Sequence, residues 1–206
     1  PFQSTTGTQY EVGIKYQPAR SAISANAAAY TLTQSNALTV DPLHPQFQTQ
    51  SGKVRSQGFE LEANAEIADG LKVIASYTYT DATVTQSNGT DLDKRVIVVP
   101  RNQASLWADY TVQRGPLRTF NFGLGVRYFG QTYGNSTNTV SIPSNTLVDL
   151  ALGYELGQLN PKLDGVRFSL NVNNLFDRRY VATCTSLNAC YYGTSRVAMA
   201  TLRYDW

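Results

Sequence analysis

The closing stretch, Arg196 to Trp206, constrains what this chain can fold into more than any other. Trp206, Tyr204, Leu202, Ala200 and Ala198 are apolar, Asp205, Arg203 and Thr201 between them are polar, and Met199 and Val197 relax the alternation further up. A period of two marks a strand with two unlike faces. Chain ends fray unless something ties them down. A strand that alternates up to a terminal aromatic suits an outer-membrane barrel, whose last strand is paired and whose lipid face ends in an interfacial aromatic. A soluble sandwich whose final strand happens to alternate is the competing reading.

Composition narrows the choice. Charged residues make up 16% of the chain, against roughly 25% in ordinary globular proteins, yet mean hydropathy is slightly negative at -0.28. Asn, Gln, Ser and Thr carry the polarity. No apolar run approaches the roughly 18 residues of a membrane helix, so a membrane would be crossed by strands. A net charge of +2 and the lack of a basic cluster interleaved with aromatics argue against nucleic acid. The first residues have neither a basic nor an apolar signal region. Cys184 and Cys190 lie close together in a Ser/Asn/Tyr-rich loop with no His nearby, which reads as a disulfide of an oxidising compartment rather than a metal site. Either the chain is cytosolic or its beginning is missing, and with the paired cysteines a missing beginning is the expectation.

The rest of the chain repeats the alternation. Tyr10, Val12, Ile14 and Tyr16 share one face, opposite Glu11, Gly13 and Lys15. Ser21 to Thr33 is Ala-rich with ambiguous facing and is read as a strand like its neighbours. Phe59, Leu61, Ala63, Ala65 and Ile67 alternate with Glu60, Glu62, Asn64 and Glu66, and the Ala68-Asp69-Gly70 turn returns the chain as Leu71, Val73, Ala75, Tyr77 and Tyr79. Asn102 to Val112, Phe120 to Tyr128, Val148 to Tyr154, Val166 to Val172 and the closing stretch complete nine strands of about 8 to 13 residues, near the length a tilted spanning strand needs.

The connections alternate between turns of about three to ten residues and loops of about 20, the asymmetry of an outer-membrane barrel. With the last strand ending on the periplasmic side, Tyr10, Tyr79 and Tyr128 fall at the outer interface, and Tyr16, Tyr110, Tyr154, Tyr204 and Trp206 at the inner one. A soluble sandwich has no reason to sort its aromatics so. Single-chain bacterial barrels have even strand numbers, so nine strands read as part of a barrel. The expected class is all-β, an antiparallel transmembrane β-barrel segment.

Y-E-V-G-I-K-Y (10 to 16), G-F-E-L-E-A (58 to 63), A-S-Y-T-Y-T-D-A (75 to 82), A-S-L-W-A-D-Y-T (104 to 111) and V-N-N-L-F-D-R-R-Y-V (172 to 181) resemble the C-terminal part of TonB-dependent outer-membrane receptors for ferric siderophores. The hydroxamate branch, for ferrichrome and ferrioxamine, is the nearest. The resemblance covers nearly the whole chain, and N-N-L-F-D-R-x-Y is its most specific element. It implies that residues 1 to 206 supply about nine of the 22 strands of a plugged barrel, with the plug and upstream strands absent. It further implies uptake of a ferric siderophore, the iron being carried in the ligand rather than as a cofactor, with energy from the TonB complex reached through that absent part. The aromatic ending, Leu202, Tyr204 and Trp206, is similar to the signal read by the barrel-assembly machinery, with Trp in place of the more usual Phe. Bacterial outer membrane is the implied location and membrane lipid a partner.

Related ferrichrome receptors carry a ligand-facing aromatic directly after the first loop cysteine. Here that position is Thr185, which weakens the case for ferrichrome itself, and Tyr191 and Tyr192 are candidates for the aromatic contact or for loop packing. Glu60, Glu62, Glu66, Asp109, Asp149 and Arg167 fall on the inward face, where they line the lumen or meet the plug. His44, the lone histidine, sits between prolines in an outer loop and makes no metal site alone. Gly123-Leu124-Gly125 lacks the helix of a dinucleotide site and reads as lumen-facing strand. With no Ser/His/Asp or Cys/His arrangement, no enzyme is expected. The competing readings are a truncated barrel fragment carrying only the assembly signal, a receptor for another chelate such as heme or cobalamin, and a soluble secreted β-protein.

Overall fold

A computed structural model describes residues 2–19, 21–186 and 189–206, without the side chains at 185 and 186. Its strands are β1 (Thr6–Tyr16), β2 (Ile23–Val40), β3 (Gln48–Ala68), β4 (Leu71–Gln86), β5 (Asn102–Thr111), β6 (Asn121–Phe129), β7 (Thr132–Tyr133), β8 (Ser141–Ile142), β9 (Asn145–Glu155), β10 (Val166–Asn173), β11 (Val181–Ser186), β12 (Ala189–Tyr192) and β13 (Val197–Tyr204). Nine of them form one sheet in the order β1-β2-β3-β4-β5-β6-β9-β10-β13, each antiparallel to the next. The pairs β7-β8 and β11-β12 are small hairpins inside two of the long loops.

Register carries the two-faced pattern across the whole sheet. Ile23, Ala65, Val73, Ala108, Leu124, Leu150, Val172 and Ala198 are successive partners from β2 to β13, one continuous apolar row. The adjacent row on the opposite face runs Asn64, Ile74, Trp107, Gly125 and Asp149. Because a slip of one residue would turn every apolar row inward, the alternation itself locks the register. The ambiguous Ala-rich segment is β2, with Ala25, Ala27 and Ala29 on the apolar face opposite Tyr16, Ile14 and Val12.

Two expectations change. β2, β3 and β4 have 18, 21 and 16 residues, well past the 9 to 11 or so that cross a bilayer, and the expected loop of about 20 residues shrinks to the hairpin tip at 41–47. Polar but Thr-rich sequence up to Val40 continues the ladder, with irregular register between Ser35 and Thr39, until Pro42 removes a donor. Tyr154, expected in the inner girdle, is buried instead: its hydroxyl donates to the Pro116 carbonyl at 2.9 Å and its ring meets Phe120 edge-on. Tyr16, Tyr110, Tyr204 and Trp206 remain exposed.

The turns at the end where β13 finishes are short. Gly70, at φ +78, closes β3 to β4, a conformation that costs a side-chain-bearing residue energy. Gly165, at φ +77, leaves no room for a Cβ beside the Asp205 carbonyl, and its own carbonyl accepts from Asp205 N–H at 3.0 Å. That bond holds the chain end one residue past β13. Most of the buried residues among those described (Thr132, Ile142, Asn145, Leu147, Asp149, Val172, Asn174 and Cys184) gather at the other end, around β6, β9, β10 and the loops above them.

Candidate functional site

Three long connections, 87–101, 130–144 and 174–196, rise together above β5, β6, β9 and β10, and the site is built where they meet. The motif at 173–180 forms the base of the third. Asn174 turns the chain at φ 53 and is only 3% exposed. Its carboxamide accepts from Arg178 N–H at 2.9 Å and donates to the carbonyls of Arg178 and Thr194 at 2.9 and 3.1 Å, so both ends of the loop are tied to one side chain. Asn and Asp tolerate this left-handed backbone better than other side-chain-bearing residues, and Asp177, at φ 51, accepts from Arg196 N–H.

Below that knot, Asp149 on β9 receives both ends of the Arg127 guanidinium from β6, at 2.6 and 2.9 Å, and the Asn174 N–H at 2.8 Å. A buried carboxylate is tolerable only with such partners. The sequence places Asp149 on the inward face without indicating its partners. Beside it, Trp107 on β5 lies over Gly123 and Gly125 of β6, where an added Cβ would come within 2.4 and 2.3 Å of the indole. An aromatic laid over cross-strand glycines supplies the packing that the glycines lack.

Cys184 and Cys190 are bonded, and as cross-strand partners they staple β11 to β12. Cys184 is 2% exposed. Gly134 of the second loop packs on it so closely that a Cβ there would lie 2.5 Å from the Cys184 Cβ. The first loop is laced to the second through Val98 N–H to the Tyr133 carbonyl at 3.0 Å, through paired bonds between Arg95 and Asn138 at 2.7 and 3.0 Å, and through the Arg95 guanidinium over the Tyr133 ring. The three loops thereby form one cap. Its basic groups differ: burial, and then the nearby Arg101, lower Arg95 from the ordinary arginine value, whereas the hydrogen bond to Asp81 raises Arg101.

Tyr191 and Tyr192 are 59% and 79% exposed on β12. Neighbours on a strand point to opposite sides, so one of them at most faces the inner side of the cap. Thr185 belongs to β11, but its side chain lies outside the described residues. Glu60, Glu62 and Arg167 lie inward and line the wall, and His44 stands at the exposed hairpin tip with its imidazole near Asp41. Among the described residues no group of three or more metal-binding side chains is present.

A sequence model of the family described as TonB dependent receptor-like, beta-barrel, matches residues 1–175. This chain belongs to that family. Its outer-membrane relatives include the ferrichrome outer membrane transporter/phage receptor of Escherichia coli K12, 42% identical over 98% of this chain and 27% of the relative. The ferrioxamine B receptor of Salmonella typhimurium is 41% identical over 92% of this chain and 27% of its own length. The chain thus spans about a quarter of these relatives. Among solved structures, the pyoverdine outer membrane receptor of Pseudomonas aeruginosa bound to pyoverdine is similar over all of this chain and 30% of its own, at 26% identity and TM-score 0.80. The ferric yersiniabactin uptake receptor of Yersinia pestis shares the fold over 98% of this chain and 30% of its own, at 21% identity and TM-score 0.82. In TonB-dependent receptor terms the nine strands are wall of an outer-membrane β-barrel. The relatives named are transport receptors, not enzymes.

Proposed function

We propose that residues 1 to 206 are the C-terminal wall of an outer-membrane receptor that takes up a ferric siderophore of the hydroxamate type by TonB-dependent active transport. The observation that carries this reading is the 42% identity over nearly the whole chain to a ferrichrome transporter, matched by 41% to a ferrioxamine B receptor. The metal-pseudopaline receptor of Pseudomonas aeruginosa stands further off, at 34%. The wall contributes lipid-facing strands, the inner surface against which a plug would seat, and the loop cap over the ligand vestibule. The TonB complex would act through parts of the protein outside this chain.

The cap hairpin offers Thr185 and one of the two neighbours Tyr191 and Tyr192 as ligand contacts, held in place by the Cys184–Cys190 bond. Trp206, Tyr204 and Leu202 expose their apolar side chains at the end of β13 and serve as the signal for the assembly machinery. The test is a titration of the whole receptor in detergent with ferrioxamine B, ferrichrome, heme and cobalamin, followed by intrinsic fluorescence. Saturable quenching by a ferric hydroxamate is expected. Saturation by heme or cobalamin alone would reject the hydroxamate assignment.

A further inference from the structure

Under the cap, on the inward side of the wall, lies a cavity of about 280 Å³ outside the ion-paired network, closed on one side by Val181 and Ala182 of β11. Its floor is one inward row of the sheet, Gln103, Phe129 and Asn145, successive partners on β5, β6 and β9. Val98, Ile142, Pro143 and Tyr180 wall it from the three laced loops. No formally charged side chain lines it, in a region where Arg95, Arg101 and Arg127 stand nearby. Uncharged apolar walls with a few polar groups are the lining of a pocket for a neutral organic group.

Two details mark it as more than a packing fault. Asn145 is only 9% exposed, and its Oδ1 accepts no hydrogen bond among the described residues. A buried acceptor left unmade costs free energy and calls for an explanation. As placed this oxygen is covered, and because Asn145 lines the cavity, a turn of its carboxamide would bring the oxygen to a donor held there. On the rim, Val98 is held at φ 65, a backbone state that β-branched residues avoid and that tends to occur at functional sites. Its N–H bond to Tyr133 secures that conformation.

We propose that this cavity is a ligand subsite that takes a neutral arm of the siderophore, a run of methylenes interrupted by an amide whose N–H donates to Asn145. The inference rests on the receptor reading and deepens it. Iron-bound hydroxamates have lost their own N–OH protons, so the donor that Asn145 requires is supplied by an amide between the chelating groups. The apolar walls take the methylenes. Charged arms are disfavoured, because nothing in the cavity would pair with them.

The test uses the whole receptor, titrated with ferrioxamine B, whose arms carry such amides. Asn145→Leu keeps the volume and removes the acceptor, and Ala182→Phe fills the cavity from its half-open loop side. We expect affinity to fall about three- to tenfold for the first and roughly tenfold or more for the second, with heat-modifiable migration on a gel unchanged. Should Asn145→Leu fail to fold, Ala182→Phe alone decides. Wild-type affinity in the folded variants would overturn the subsite and assign the cavity to water or to another part of the longer protein. Failure of the wild-type receptor itself to bind any ferric hydroxamate would instead reject the receptor reading, and the subsite with it.

Discussion

Arg127 and Asp149 face each other across β6 and β9 in a two-pronged ion pair, at 2.6 and 2.9 Å, and the same carboxylate holds the N–H of Asn174. One side chain therefore joins two wall strands to the turn from which the disulfide-stapled loop rises. This explains in physical terms why a polar motif, N-N-L-F-D-R-R-Y, stands at the top of an apolar strand. It is a joint between wall and cap.

Asp149→Ala leaves the guanidinium without its partner and orphans a buried N–H. Arg127 keeps some access to water, which moderates the loss. The folded receptor should lose about 2 kcal/mol, read as a lower unfolding temperature in detergent. Because the joint serves the third loop in particular, protease cleavage between residues 175 and 196 should accelerate before the wall unfolds. Unchanged cleavage would show that the joint does not hold the loop.

Gly123→Ala has no room beneath Trp107 and should destabilise the barrel, by about 1 to 3 kcal/mol. Trp107→Ala should cost a similar amount by uncovering the glycines. The double variant should lose less than the sum, since the clash and its cause disappear together. Strict additivity in a double-mutant unfolding cycle would contradict the stacked arrangement.

Replacing Cys184 and Cys190 together by Ser should leave membrane insertion intact while loosening the hairpin. A loop this short contributes roughly 2 kcal/mol of constraint, so limited proteolysis at β11 and β12 should quicken, and the ferric hydroxamate affinity should fall modestly. Loss of insertion in a detergent-extraction assay would mean that the hairpin helps to form the wall.

Deleting Trp206 should reduce the amount of folded receptor in the outer membrane without lowering the stability of the fraction that folds, because the indole is fully exposed beyond β13 and the Asp205 bond to Gly165 persists. Normal amounts of folded protein would reject the assembly-signal assignment.

Much of the wall is legible in the sequence, because a strand between lipid and lumen must alternate. Phe59 to Ala65 against Glu60 to Glu66 names both faces directly, and the register then carries those faces across all nine strands. The lengthened β2 and β3 were not legible: above the membrane no apolar face is required, and a Thr- and Ser-rich ladder looks like a loop. Tyr154 reads as a girdle residue because its burial under the 112–120 turn is a long-range fact. Of the site, the sequence shows the cysteines, the 173–180 motif and the inward facing of Asp149, but not how they meet. Arg127 and Asp149, or Phe129 and Asn145, meet through cross-strand register, and the cavity arises from three loops whose lacing no local pattern announces.

The most direct test of the whole account is accumulation of radioactive iron from ferrioxamine B or ferrichrome by cells whose only hydroxamate receptor is the whole protein containing this wall, with and without TonB. The account predicts saturable uptake that disappears when TonB is removed, while binding at the cell surface remains. Uptake that persists without TonB would contradict active transport, and an absence of both binding and uptake would contradict a role in hydroxamate siderophore capture.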